Sequence, residues 1–353
     1  MDQRGRHTLS EILSQPAVWS DALAQVEAQA DALATFWREG GFEQILFTGC
    51  GSTYYLSQFA ATLTQQLTGV PCRAYPGSEL ALFPATGFIP TGKTLLVAVS
   101  RSGETSETIA AVKVFKDHLP GKSLAVTCYS ESTLAELSDV AVAIDSAREE
   151  SIAQTRSFSS MALALQAMAA LFAGQSQDLT ALPALAERLL REYGPLAKTL
   201  GQADYLDRFF FLGSDALYSL ACEAMLKMKE MSLSYSEAYH TLEFRHGPMS
   251  MVDARTLVVG LVSTQAYQQE VAVLRDMQAR GARILALVEQ AGDGSAVFEH
   301  VIPLQTGLPA WVRAVLYLPV LQLLAFYRAI HKDQDPDHAG NLNAVVVLDS
   351  LSA

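Results

Sequence analysis

The chain has 353 residues, half of them apolar, with 25 Lys and Arg against 37 Asp and Glu for a formal net charge of −12. That length asks for two domains or one duplicated unit, and the acidic balance excludes nucleic acid as the main partner, since phosphate backbones need a basic face. The start, MDQRGRHTLSEIL, has no apolar signal core, and no apolar run nears the ~20 residues of a membrane span, so the expectation is a soluble, cytoplasmic protein with no membrane partner. Cys50, Cys72, Cys128 and Cys222 are widely spaced with no CxxC pair, which reads as reduced, buried thiols.

In chain order, residues 1 to about 40 read as helices with caps at Thr8 or Ser10. A strand at Ile45–Gly49 precedes a helix through Thr68, a strand at Thr94–Ser100 precedes another helical pattern, and Leu124–Thr127 is a third strand. Helices are expected at Ser157–Ala173 and Leu182–Leu200, with a loop from Gly174 to Thr180 and breaks at Pro183 and Pro195. The order then recurs: strand Phe209–Gly213 with a helix to about Ser232, strand Thr256–Val262, and strand Leu285–Val288, at offsets of 164, 162 and 161 residues. A long apolar helix at Val312–Ile330, a turn-rich HKDQDPDHAGN stretch, and a short strand or buried tail at Ala344–Leu348 complete the chain. Alternating strands and helices predict an α/β fold built from two tandem units, each a parallel sheet flanked by helices in three layers. The expected domains are an N-terminal helical segment 1–40, a first unit 41–190 and a second unit 191–353. Gly49 and Gly51 follow a strand, but Tyr54 stands where a dinucleotide fingerprint needs its third glycine, so a Rossmann-type site is rejected.

The run TLLVAVSRSGET from Thr94 to Thr105 empties an apolar strand into small hydroxyl residues at a helix start. Ser100, Ser102 and Thr105, with the backbone N–H groups near Gly103, make a natural cradle for a phosphoryl group. The competing interpretation is an ordinary strand-to-helix turn with serine caps. The second copy continues instead as STQAYQQE, without the glycine and most hydroxyls, so only the first copy is expected to bind an anion.

Chemistry in the second copy concentrates between Lys227 and His246. Lys227 and Glu230 lie three apart on a helix among Met225, Leu226, Met228 and Met231, so they are either a surface ion pair or a partly buried one in which a carboxylate shuttles protons. His240, Glu243 and His246 lack the helical spacing of known zinc motifs, and no metal site is expected. His246 precedes a Gly-Pro break, where a loop either presents it to a cleft or leaves it capping a helix.

Taken together, FTGCGSTYYL at Phe47–Leu56, SRSGET at Ser100–Thr105, LKMKEMS and EFRHGPMSMVD at Glu243–Asp253 resemble, in order and spacing across about residues 40 to 345, the sugar isomerase (SIS) family. The likeness is to the isomerase half of glucosamine-6-phosphate synthase and to stand-alone amino-sugar-phosphate isomerases and deaminases. It implies that Gly51, Ser52 and Thr53 join Ser100, Ser102 and Thr105 around a sugar phosphate, that Arg101 adds a phosphate contact where the synthases carry glutamine, and that Gln154 meets a sugar hydroxyl. It further implies Glu230 as the base moving a proton between C1 and C2, His246 as the group assisting ring opening from the other subunit of a homodimer, and Lys227 as the cation steadying developing negative charge.

The chain departs from the synthases in two respects. Asn341 and Leu342 are followed by Asn343 and Ala344, so the Schiff-base lysine two residues after the Asn-Leu pair is missing, and with Asp2 rather than a cysteine next to Met1 a glutamine-hydrolysing domain is not expected. The resemblance therefore implies isomerisation or deamination of an amino-sugar 6-phosphate, gluco or galacto, with no cofactor or metal. A deglycase of a sugar-phosphate amino-acid conjugate and a non-catalytic sugar-phosphate sensor are the alternatives.

Overall fold

The computed structural model describes residues 4–89, 93–175, 179–292, 295–340 and 348. It divides into two compact units, one comprising Met1–Leu13, Glu150–Ala153 and Ala184–Leu342, the other Ser14–Glu149, Gln154–Pro183 and Asn343–Ala353. Each unit holds one five-stranded parallel sheet, which makes the protein mixed α/β with a repeated architecture, as the recurring order of elements predicts.

In the first sheet the strands are β1 (Gln44–Gly49), β2 (Cys72–Pro76), β3 (Thr94–Val99), β4 (Gly121–Thr127) and β5 (Val140–Ala143), arranged β2-β1-β3-β4-β5. Every residue of β3 is buried, because helices cover both faces of a sheet whose connections are crossovers. Leu46, Leu96, Ala98 and Ala125 point to one face, against Ala111, Val112 and Phe115 of the helix Ser106–His118. Alternate residues serve the opposite face, where helices Ser52–Thr68 and Arg156–Phe172 pack together.

The second sheet repeats this plan with β6 (Arg208–Gly213), β7 (Tyr235–His240), β8 (Thr256–Leu261), β9 (Arg283–Val288) and β10 (His300–Pro303), arranged β10-β9-β8-β6-β7. Phe210, Leu212, Val258, Ile284 and Ala286 form its core with Val271, Leu274 and Met277 of the helix Tyr267–Ala279. On the other face the helix Ala216–Ser232 packs against Leu318–His331.

Several sequence expectations need correction. The first helix runs Arg6–Ala28, so Thr8 and Ser10 lie inside it rather than capping it. Its first turn is capped from a distance: the Asp337 carboxylate accepts the N–H groups of His7 at 2.9 Å and Thr8 at 2.7 Å. The helix Leu182–Gly201 starts beside Pro183 but continues through Pro195, held on both sides of the proline by buried Leu189, Leu190, Ala197 and Leu200. The expected helix at Val312–Ile330 is three pieces, Ala310–Arg313, a 3-10 turn Ala314–Tyr317, and Leu318–His331. Pro319 has no N–H to continue the ladder, and the chain tightens just ahead of it. This Ala310–His331 run is 22 residues and apolar enough by composition to cross a bilayer, contrary to the expectation of no such run, and 83% of its most apolar window is buried inside the protein. The predicted tail element falls outside the described residues except for Leu348, which is exposed.

Candidate active site

Parallel sheets open a crevice where neighbouring strands send their chains in opposite directions, and in the first sheet that point lies between β1 and β3. Thr48 is in register with Ala98, so the loops after Gly49 and Val99 leave the same edge side by side. Gly51, at φ 56° and ψ −123°, turns the first loop in a conformation that side-chain-bearing residues rarely adopt. Ser52 and Thr53 are buried behind it. The Thr53 hydroxyl accepts the Cys50 N–H and donates to the Cys50 carbonyl, each at 2.9 Å, so it shapes the turn itself.

The second loop is the one expected to cradle a phosphoryl group. Ser100, 2% exposed, accepts the Gly103 N–H at 3.1 Å and shares a hydrogen bond with the Thr105 hydroxyl at 3.2 Å. Ser102 accepts the Glu104 N–H at 3.1 Å. Gly103 sits at φ +68°, and a Cβ there would lie 2.1 Å from the Ser132 hydroxyl oxygen. Thr105 stands at the N-cap of Ser106–His118, yet its side chain reaches back to Ser100 and caps no N–H of that helix. Hydroxyls and first-turn amides therefore collect at a positive helix end, the environment a phosphoryl group favours.

Arg101 is buried and its guanidinium is turned to the fully buried carboxylate of Glu149 at 3.5 Å. Gln154, in the same unit, is half-buried, and its Oε1 is buried without a hydrogen-bond partner among the described residues. Sequence reasoning did not find Glu149: a glutamate in an irregular stretch carries no periodic signal of burial.

The other unit carries the ionisable set. Lys227 is 1% exposed, with Nζ 2.6 Å from Glu230 Oε2 and 3.2 Å from Glu223 Oε1. This is no surface pair: Met225, Met228 and Met231 are buried around it, and only Glu230, with a fifth of its side chain exposed, reaches solvent. Burial pulls the Lys227 pKa down, but the charges of Glu223 and Glu230 outweigh it and leave the ammonium above its ordinary value. Glu223 also escaped the sequence reading, although its i,i+4 spacing to Lys227 was the available signal.

His246 follows the 3-10 turn Glu243–Arg245, closing it with its main-chain N–H on the Glu243 carbonyl at 2.9 Å while the side chain is exposed. His240 ends β7 and stacks on Tyr218 at 3.7 Å, and burial lowers its pKa against the opposing influence of Glu243. At the second sheet's reversal point, between β6 and β8, the counterpart of the cradle holds a carboxylate of the protein itself. Buried Glu270, in the first turn of Tyr267–Ala279, accepts the Ser263 N–H at 2.6 Å.

Both halves of the chain match the SIS domain, at residues 42–171 and 206–332. Among curated proteins, the chain is 30% identical over 321 residues to a glutamine–fructose-6-phosphate aminotransferase (isomerizing) of Pseudomonas syringae pv. tomato, covering 86% of this chain and 52% of that protein. The chain spans about half the length of such curated relatives. Among solved structures, tagatose-6-phosphate ketose/aldose isomerase from Escherichia coli superposes with a TM-score of 0.86 at 26% identity over 94% of this chain and 95% of that one. Glucosamine-6-phosphate deaminase from Thermotoga maritima gives a TM-score of 0.75 at 28% identity, covering 93% of this chain and all of that one. Two matches to one domain model, on two sheets of like strand order, establish that this chain belongs to the SIS-domain family and carries the domain twice.

Proposed function

We propose that the protein is a phosphosugar aldose–ketose isomerase acting on an amino-sugar 6-phosphate, glucosamine or galactosamine 6-phosphate, with release of ammonia. The observation that carries the reading is the Lys227–Glu230 pair, a buried cation holding one partly exposed carboxylate on a helix of otherwise buried methionines. A carboxylate so fixed is suited to take a proton from one carbon and return it to the next. The relatives named above, a ketose/aldose isomerase and an amino-sugar-phosphate deaminase, support the substrate class.

In this reading the Ser100–Thr105 loop, with Gly51, Ser52 and Thr53, holds the phosphate, Gln154 meets a sugar hydroxyl, and His246 assists ring opening, supplied across a homodimer interface. Glu230 removes the C2 proton of the open-chain aldose, and the electron pair passes through an enolamine with charge building on O1 beside Lys227. Returning that proton to C1 leaves a C2 imine, which water hydrolyses to the ketose 6-phosphate and ammonia. None of these steps needs a metal or nicotinamide. The phosphate anchor contributes binding energy from a part of the substrate remote from the reacting carbons. Residues 41–190 would bind and residues 191–353 react, in a cytoplasmic enzyme.

Incubating the protein separately with glucosamine 6-phosphate and galactosamine 6-phosphate, and assaying both ammonia and ketose phosphate, tests the proposal. Ketose with ammonia is the expected outcome; tight binding without turnover would instead identify a sensor. Glu230→Gln should lower kcat by about 10²–10⁴-fold while leaving substrate affinity within a few-fold. Near-normal turnover in that variant removes Glu230 from the role of base.

A further inference from the structure

Residues 149 to 155 have no regular secondary structure ahead of the helix Arg156–Phe172, and two carboxylates with buried side chains accept hydrogen bonds from this stretch and the start of the helix. Glu11, 3% exposed, accepts the N–H groups of Glu150 at 2.7 Å and Ser151 at 3.3 Å and the Ser151 hydroxyl. The Glu149 side chain, wholly buried, does more. Its Oε1 accepts the Thr155 N–H and the Thr155 hydroxyl, each at 2.8 Å, and the Ser157 N–H at 3.2 Å, while its Oε2 accepts the Ser157 hydroxyl and faces Arg101 at 3.5 Å.

Thr155 is the N-cap of the helix Arg156–Phe172, and an N-cap threonine ordinarily turns its oxygen onto the helix's own first amides. Here that hydroxyl donates to Glu149 and the carboxylate does the capping. Arg101, at the other end of the contact, is anchored in the cradle loop: its carbonyl accepts the Cys128 N–H at 3.0 Å and the Thr127 hydroxyl at 3.1 Å. One carboxylate thus fastens the phosphate-binding loop to the backbone immediately after Gln154, whose buried Oε1 is unpartnered among the described residues.

We infer that Glu149 is a positioning residue that sets Gln154 at a fixed distance from the phosphate cradle, so that phosphate and sugar hydroxyl are recognised as one rigid unit. The inference deepens the proposed function and rests on its reading of Gln154 as a sugar contact. A buried carboxylate that only capped a helix would need no cation from the cradle loop, whereas a coupling device needs partners at both ends.

The test compares binding of glucosamine 6-phosphate and of inorganic phosphate to the full-length protein, its Glu149→Gln and Gln154→Ala variants, and the double variant. Glutamine keeps the shape and one acceptor but loses the charge opposite Arg101. The preference of wild type for the sugar phosphate over inorganic phosphate should fall about tenfold to a hundredfold in Glu149→Gln, with inorganic phosphate affinity unchanged or raised by the released guanidinium. The double variant should show no more loss than Gln154→Ala alone. Equal loss for both ligands, or additive losses in the double variant, overturns the inference, because a purely structural role predicts those results. If Glu149→Gln fails to fold, Thr155→Val removes a single bond to the same carboxylate and must shift the same preference. A wild type with no preference for the sugar phosphate defeats the underlying functional reading instead, a result distinct from either.

Discussion

Gly103 governs the shape of the cradle. Its left-handed φ and the 2.1 Å approach of the Ser132 oxygen to a hypothetical Cβ leave room for a hydrogen only. Gly103→Ala is expected to destabilise the protein by about 1–3 kcal/mol and to weaken inorganic phosphate binding, measurable together by thermal melting with and without phosphate. Unchanged melting and binding would mean that the loop tolerates the methyl group and that its geometry is not what selects an anion. At this scale the sequence was legible where chemistry and local spacing coincide: the Ser100, Ser102, Gly103, Thr105 set is contiguous, and so is the Lys227–Glu230 turn. Glu149 and Glu223 were not legible, because a glutamate declares its burial only through partners, and the decisive partner of Glu149, Arg101, lies 48 residues away.

The six strands expected from apolar runs are present, whereas the edge strands β2, β5, β7 and β10, mostly only partly buried, were not expected, and helix ends answered to long-range contacts. Asp337 replaces a local cap on the first helix, and packing carries the Leu182–Gly201 helix through Pro195, neither of which a local rule can anticipate. The helix Tyr267–Ala279 shows the same dependence, since its first-turn Glu270 is buried at the second sheet's crevice with one oxygen on the Ser263 N–H and the other without a partner among the described residues. Burial raises its pKa, and the hydrogen bonds from Ser214 and Ser263 only partly offset this. A carboxyl raised in the folded state binds more protons there than in the unfolded chain, so stability should fall as pH rises from about 4.5 through its folded pKa. Glu270→Gln should remove that slope and be neutral or stabilising at pH 7, which denaturant melts at several pH values would show. A slope that persists in the variant assigns the pH dependence to other groups.

For the whole molecule, duplication was readable from offsets that nearly coincide, and the two sheets share one strand order about their reversal points. The divergence between copies was readable only in part. The sequence indicated loss of glycine and hydroxyls from the second crevice, but not that Glu270 lies on its amide. Because an internal carboxylate repels an incoming anion from that position, we expect one phosphate or sugar phosphate per chain rather than two, a stoichiometry that calorimetric titration reads directly. Two equivalent sites per chain would refute the functional asymmetry of the copies.

The hold of Asp337 on His7 and Thr8, with Asp335 on the Gly5 N–H at 2.9 Å, has a consequence for biosynthesis. A ribosome delivers those amides some 330 residues before it delivers the carboxylates that satisfy them. Residues 5–13 can therefore take their final place only after residues 335–337 have been made, and nascent chains stalled short of residue 335 should leave this segment open to protease.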